Sequence, residues 1–250
     1  LGERVRYDGT SKIQPDLINQ LDPLLTLKPL CPEVAIGMGV PRPPIQLHLT
    51  NDQIEAVYAE DSTTNFTRPL SQYAEQIIAE NHGKSENNRL CGYIFKSRSP
   101  SCGAGSTPIF SDGVHVRFGD GIYAHRIRNA MPWLPLMEEE ELEHQRSRNR
   151  FLFLSYLIND YYHCVHTEED EKTFFKYHHP LTNGLAKKRK NQLAASLEHA
   201  HLPSDSNNVF DCALTVLIES LLETSHQEFE NIVDNACSQA GTKKGGLTPL

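Results

Sequence analysis

No stretch of the 250-residue sequence reaches the roughly 18 consecutive apolar residues of a membrane span, and no secretory signal opens it. An excess of base is also missing: 24 Lys and Arg stand against 32 Asp and Glu, a formal net charge of −8. Proteins that grip duplex nucleic acid carry basic faces, so this balance argues against that class. The one basic run, AKKRK at 186–190, is short and reads as a solvated helix face or loop rather than a phosphate contact. Cysteine is sparse. Six cysteines at irregular spacing do not make a secreted disulfide framework. A cytosolic protein with reduced thiols, free to bind metal, is the expectation. The apolar share of 38% is a little low, which points to surface-rich segments. No internal repeat is found. The first residue is Leu1 rather than methionine, so a processed or truncated N-terminus is expected.

What is present alternates between strand and helix patterns over the first 140 residues. LLTLKPL (24–30) reads as a short apolar strand. IQLHL (45–49) and IEAVYA (54–59), separated by TNDQ, predict a hairpin or two short strands. Leu70, Tyr73, Ala74 and Ile77 recur at helical spacing over 69–80. LCGYIFK (90–96) has the continuous apolar pattern of a buried parallel strand, and 120–132 reads as a helix ended by Pro132. The order predicts an α/β fold with an open, mostly parallel sheet and flanking helices. From EEEELEHQRSRNR (138–150) the chain becomes charge-rich and then almost free of Gly and Pro, with four helical patterns between 150 and 223. The expected organisation is an α/β domain over 1–146, a mainly helical domain over 147–238 and a flexible tail over 239–250.

Two loops carry the chemistry. CPEVAIGMGVPRPP (31–44) is too rich in Gly and Pro to continue a helix or strand, and it presents Cys31 and Glu33. SRSPSCGAG (97–105) presents Ser101 and Cys102 in another Pro- and Gly-bounded turn. Each cysteine follows a predicted strand, and parallel strands converge on one crevice at their ends. Cys91 opens the second strand; at about 3.3 Å per residue it lies roughly 20 Å from that end and reads as core. Two separated cysteines are a weak metal signal by themselves, and small hydrophobes beside turns would fit them too. The cations Arg42, Lys96 and Arg98 close by favour reactive thiolates instead.

LGERVRYDG (1–9), CPEVAIGMGVPRPP and SRSPSCGAG resemble, in order, the three motifs of the 2-thiouracil desulfidase family. GIYAHRIRNAMPWLPLMEEEEL resembles the end of that family's catalytic domain, so the resemblance covers about residues 1–142. It implies a [4Fe-4S] cluster held by three cysteines, with one iron left open for the sulfur of a thiolated nucleobase or nucleoside. Such an iron is a Lewis acid suited to a soft thiocarbonyl sulfur; water then adds at carbon and gives uracil and sulfide. Carried over residue by residue, Cys31 and Cys102 are cluster ligands, Glu33 a base for water, and Ser101 a proton relay or substrate contact. Arg6 and Asp8 match a substrate-contact motif, although a salt-bridged loop accounts for them equally well, and Thr10 stands where a second glycine is common. The third cysteine is expected upstream of Leu1, so a chain beginning there is expected to be poorly loaded and inactive. His115 and His125 would be the first substitutes for that ligand to examine.

The helical half matches the family's usual C-terminal domain of unknown function only weakly, and no residue is transferred. His163, His166, His178 and His179 read as surface or satisfied core histidines, and the aromatics of 151–162 as a core stripe. Glu33 and Ser101 each admit a plainer reading, as a helix-start carboxylate and a turn hydroxyl. The alternatives to an enzyme are a non-catalytic Fe–S or thiol-dependent binding or sensor protein, and a catalytically dead family member. A purely structural cluster needs neither Glu33 nor Ser101, which favours the enzyme.

Overall fold

Residues 5–10, 15–83, 89–166, 171–199 and 206–241 are described by the computed structural model. The first four residues of the opening motif, part of the NHGKSENN stop, the side chains of His166 and Cys212, and the tail from 242 lie outside the described residues. The chain divides into two units. One comprises Leu1–Lys84, Tyr93–Met131 and Leu136–Arg148; the other comprises Ser85–Gly92, Pro132–Pro135 and Asn149–Leu250.

The first unit begins with α1 (Pro15–Leu21) and the single turn α2 (Pro32–Ala35). Strands β1 (Ile45–Thr50) and β2 (Gln53–Tyr58) form the expected hairpin, with Ile45 opposite Tyr58 and Thr50 opposite Gln53. Its turn residues Asn51 and Asp52 have φ of 47° and 61°, the left-handed conformation that two-residue hairpin turns demand and short polar side chains tolerate. Helix α3 (Thr67–Gly83) buries Leu70, Ala74 and Ile77, one stripe at i, i+4, i+7. After it come β3 (Tyr93–Phe95), β4 (Ala104–Ser111), β5 (Val114–Asp120), α4 (Ile122–Ala130) and β6 (Leu136–Glu138).

These strands make two sheets. The larger has the order β2-β1-β4-β5, with β1 parallel to β4 and the other two pairings antiparallel. The smaller pairs β3 with β6 in parallel. The α/β class therefore stands, with a mixed rather than mostly parallel sheet. The antiparallel content comes from the expected β1–β2 hairpin and from the β4–β5 hairpin, which the strand patterns did not predict. Its turn, Asp112 and Gly113 at φ 48° and 77°, carries the Asp-Gly signal of such turns in plain view. Residues 24–30 form no strand. Two prolines close by and a polar Thr-Leu-Lys stretch leave that segment without a sheet partner. Ile45, Leu47, Ala56, Leu70, Ile109 and Ile122 meet in one buried cluster between the larger sheet and the helices.

The second unit contains most of α5 (Gln145–His166), then α6 (Glu171–Tyr177), α7 (His179–Gly184), α8 (Lys187–His199), α9 (Ser206–Glu223) and α10 (His226–Gly241). The boundary expected at 146–147 falls in the first turn of α5. Leu154, Ile158, Phe174, Leu214, Leu217 and Leu221 are among its fully or nearly fully buried side chains. Arg150 is buried and donates to the carbonyls of Leu221 and Thr224, satisfying acceptors that the C-terminus of α9 leaves open. No described helix is long and apolar enough to cross a membrane.

Candidate functional site

The Cys31 loop is built by its prolines and glycines. Pro32 sits in the first turn of α2, where its missing N–H costs no hydrogen bond, and Cys31 is the residue just ahead, extended at φ −124°. The turn ends at Gly37 and Gly39, which take φ of 89° and 74°. Glu33, in the first turn, is 8% exposed, and its carboxylate does not stay with its own helix. Oε1 accepts the Ser101 hydroxyl proton at 2.6 Å, and Oε2 accepts from Arg42 through Nε at 2.7 Å and Nη2 at 2.6 Å. This is the contact that joins the two cysteine loops. The charge on Glu33 is thus neutralised in place and hydrogen-bonded on both oxygens, the condition for a carboxylate to be kept inside.

Arg42 ties in the opening loop as well. Its guanidinium donates to the carbonyls of Gly39 and Val5, both at 2.9 Å, and Nη2 lies 3.9 Å from Cys31 Sγ.

The Cys102 loop is gripped from two sides. The N-terminus of α4 docks under it: Tyr123 N–H donates to the Ser101 carbonyl at 2.8 Å, Ile122 N–H to Pro100 at 3.1 Å and Gly121 N–H to Gly103 at 2.8 Å. The approach is so close that a Cβ on Gly121 would sit 2.6 Å from the Ser101 carbonyl, so only glycine fits. On the other side stand three carboxylates at the end of β6. Glu138 accepts from Ala104 N–H and Ser106 Oγ, Glu139 from Ser97 N–H and Oγ, and Glu140 from Arg98. Within the loop, Ser99 Oγ lies 3.0 Å from Ser101 Oγ and accepts from Cys102 N–H.

Cys31, Cys102, Glu33, Ser101 and Arg42 all line one cavity of about 320 Å³. Burial pushes the Cys102 thiol up; the negative charges of Glu33 and Cys31 push the same way, and a hydrogen bond from Ser99 opposes them. Tyr93 also lines the cavity and shares a 3.1 Å hydroxyl contact with Tyr123. Burial is the main cause that raises both phenols, and it keeps them protonated, as donors.

The expectation that two strand ends of one sheet bring the cysteines together needs correction. Only Cys102 follows a strand, and that strand, β3, pairs with β6 alone. The Glu33–Ser101 hydrogen bond does the joining instead, with Arg42 holding the carboxylate from its own loop. Arg6 lines the cavity, whereas Asp8 does not. Asp8 accepts from Thr10 Oγ1 at 2.6 Å and Thr10 N–H at 3.0 Å, which hold its carboxyl below the usual range, and Arg6 stands 3.6 Å away. Asp8 is therefore a turn clamp, and Thr10 supplies its partner.

Cys91 precedes β3 and is half-buried, with Sγ facing the Arg89 carbonyl and Asn159; burial pushes its thiol up to about 11. Cys164 is buried in α5 and Cys237 half-buried in α10. His115 packs between Phe110 and Phe118, and His125 meets Asn129 and Asp120; neither lines the cavity, which withdraws both as substitute ligands. Among the described residues no three His, Cys, Asp or Glu groups converge as a metal site. In the second unit His178 is a buried core histidine bonded to Asp160 at 2.7 Å, and Arg189 of the basic run pairs with Glu223.

Sequence reasoning missed Ser99, Tyr93, Tyr123 and the carboxylates 138–140. The acidic run read only as the point where the chain becomes charge-rich. It follows the apolar Leu136 and Met137 directly, and carboxylates carried to a buried strand end need donors, which the Ser-rich loop has.

Comparison with known proteins follows the same lines. The sequence model of the 2-thiouracil desulfurase family matches residues 1–140. No curated protein matches the chain. A solved structure described as the [4Fe-4S]-dependent thiouracil desulfidase TudS is 27% identical, with a TM-score of 0.43 over 57% of this chain and 87% of that one. The match spans more than half of the sequence and contains both cysteine loops, and the chain belongs to the 2-thiouracil desulfurase family.

Proposed function

We propose that this protein is a [4Fe-4S]-dependent desulfidase that removes sulfur from a thiolated pyrimidine such as 2-thiouracil, giving uracil and sulfide. The observation that carries the reading is the Glu33 carboxylate, buried between Arg42 and Ser101 in the wall of the cavity that also receives Cys31 and Cys102. The donor set suits the cluster: two soft thiols face one partly enclosed space, with a guanidinium beside one of them. Cys31 and Cys102 would be ligands, with a third cysteine expected upstream of Leu1. When bound, the cluster supplies a soft Lewis acid for the thiocarbonyl sulfur.

The protein's own groups handle water and protons. Ser101 donates to Glu33 Oε1, so a water seated against Ser101 can pass a proton through the hydroxyl to the carboxylate as its oxygen bonds to the carbon that bears sulfur. Arg42 on Oε2 holds the carboxylate in that orientation. The C–S bond breaks, water's oxygen stays on carbon, and its two protons leave with sulfide. Arg6 at the cavity wall is a substrate contact in this reading, and Asp8 acts by holding the turn that presents it. In this reading the protein works in the cytosol, where thiols stay reduced and free to hold the cluster. A cluster protein serving only as a sensor or binding module needs no buried carboxylate–hydroxyl pair beside the open space.

The test is anaerobic reconstitution with iron and sulfide, followed by sulfide release from 2-thiouracil. For this test Cys-Leu is added ahead of Leu1, and the chain beginning at Leu1 serves as the comparison, expected to retain less iron. Glu33→Gln should keep the brown colour and lower turnover by about 10²–10⁴. Unchanged turnover in that variant removes Glu33 from the mechanism.

A further inference from the structure

The carboxylates of Glu138, Glu139 and Glu140 lie outside the proposed chemistry, yet each ends on the Cys102 loop. The loop needs holding. Arg98 takes φ 60°, rare for a residue with a side chain, and Gly105 takes φ 111°, so the segment between them is bent at both ends. Arg98 N–H donates to Ser106 Oγ at 2.7 Å, and that hydroxyl donates to Glu138 Oε1, also at 2.7 Å. Glu138 Oε1 takes Ala104 N–H at 2.6 Å too. Glu139 Oε2 takes both Ser97 N–H, at 2.5 Å, and Ser97 Oγ, at 3.0 Å. Glu140 meets the Arg98 guanidinium at 2.6 Å.

Glu138 and Glu139 are 5% and 2% exposed. Carboxylates are seldom buried so deeply unless their oxygens are filled by donors, and here the donors come from the two ends of one loop. The carbonyls of Pro100, Ser101 and Gly103, meanwhile, accept from the N-terminus of α4. Carboxylates hold the loop at its two ends and helix N–H groups hold its middle, on either side of Cys102.

We propose that the acidic end of β6 is a clamp that fixes the Cys102 loop in its ligating shape, with Glu138 and Glu139 as positioning residues that act through Ser97, Ala104 and Ser106. The proposal rests on the reading of Cys102 as a ligand. The clamp itself is testable without metal.

The experiment measures iodoacetamide labelling of each cysteine by peptide mass spectrometry in iron-free protein. Glu139→Ala should speed labelling of Cys102 roughly tenfold, the change expected when a buried charge-assisted hydrogen bond is lost. Cys31, in the same cavity on the other loop, should stay within about twofold, because local opening is confined to the unit that loses its contacts. Glu139→Gln keeps an acceptor oxygen for Ser97 and should return Cys102 towards the parent rate. Should Glu139→Ala fail to fold, Ser106→Ala cuts the Arg98–Ser106–Glu138 link at a half-buried site and gives a smaller rise with the same selectivity. Equal acceleration at Cys31 and Cys102, or no change at Cys102 in either variant, overturns the clamp. Reconstitution with iron is the second arm: Glu139→Ala of the Cys-Leu-extended protein should lose its visible absorbance faster than the parent. Selective labelling together with a parent that takes up no iron leaves the clamp standing and overturns the cluster reading instead.

Discussion

Replacing Arg42 by alanine removes the cation from a pair in which neither side chain is appreciably exposed, 3% for Arg42 and 11% for Glu33. Glu33 then keeps the Ser101 hydrogen bond but loses both donors on Oε2, while the carbonyls of Gly39 and Val5 lose theirs. Breaking one side of a buried pair costs about 3–5 kcal/mol, because the remaining charge stays desolvated. At roughly 2–4 °C per kcal/mol, the midpoint of the α/β unit should fall by about 6–20 °C. The assay is differential scanning calorimetry, in which the helical unit provides a transition expected to move little. A control separates pair energy from packing. Arg42→Met combined with Glu33→Leu removes both charges and should recover much of the loss, since apolar replacements of a buried pair are often neutral. Arg42→Lys should fall between, because an ammonium cannot reproduce the bidentate fork. A midpoint for Arg42→Ala within about 2 °C of the parent, less than 1 kcal/mol, would refute the argument that this pair is buried and mutually dependent.

Two further outcomes follow from local geometry. Gly121→Ala places a methyl 2.6 Å from the Ser101 carbonyl and 2.7 Å from that of Ser99, so the loop or helix must move; overpacking of this kind costs about 1–3 kcal/mol, and thermal denaturation that matches the parent would contradict it. Cys91, with its thiol pushed up to about 11, should label slowly at pH 8 and accelerate steadily as pH rises towards 11. The sign for stability follows: the unfolded thiol ionises from about pH 9 while the folded one stays protonated, so this group's contribution is lost between those values. A labelling rate that levels off below pH 9.5 would show that burial does not raise the group.

The residues of the candidate site were readable one by one. Cys31, Glu33, Ser101 and Cys102 stand in Pro- and Gly-bounded segments in which the single turn α2 is the one regular element described. Period-two alternation at Ile45 and Leu47, and helical spacing at Leu70, Ala74 and Ile77, gave the first hairpin and α3, because burial on one face leaves that pattern in any chain. The β4–β5 hairpin was less legible: β5 exposes Val114, Val116 and Phe118 and therefore lacks the half-buried signature, although Asp112-Gly113 marked its turn.

Composition and motif spacing determined the class of fold, the cysteine pair and the family resemblance, since these rest on local rules of backbone and side-chain type. Only the tertiary structure decided how the pieces meet. That Glu33 reaches Ser101 across 68 positions, that Arg42 secures it, that Asp8 turns to Thr10, and that an acidic run closes over a cysteine loop are facts of long-range pairing. The physical reason is that a buried carboxylate must find donors wherever the fold supplies them. A sequence states how many acceptors a chain carries. Which donors reach them is settled when strands, loops and helix ends are packed together.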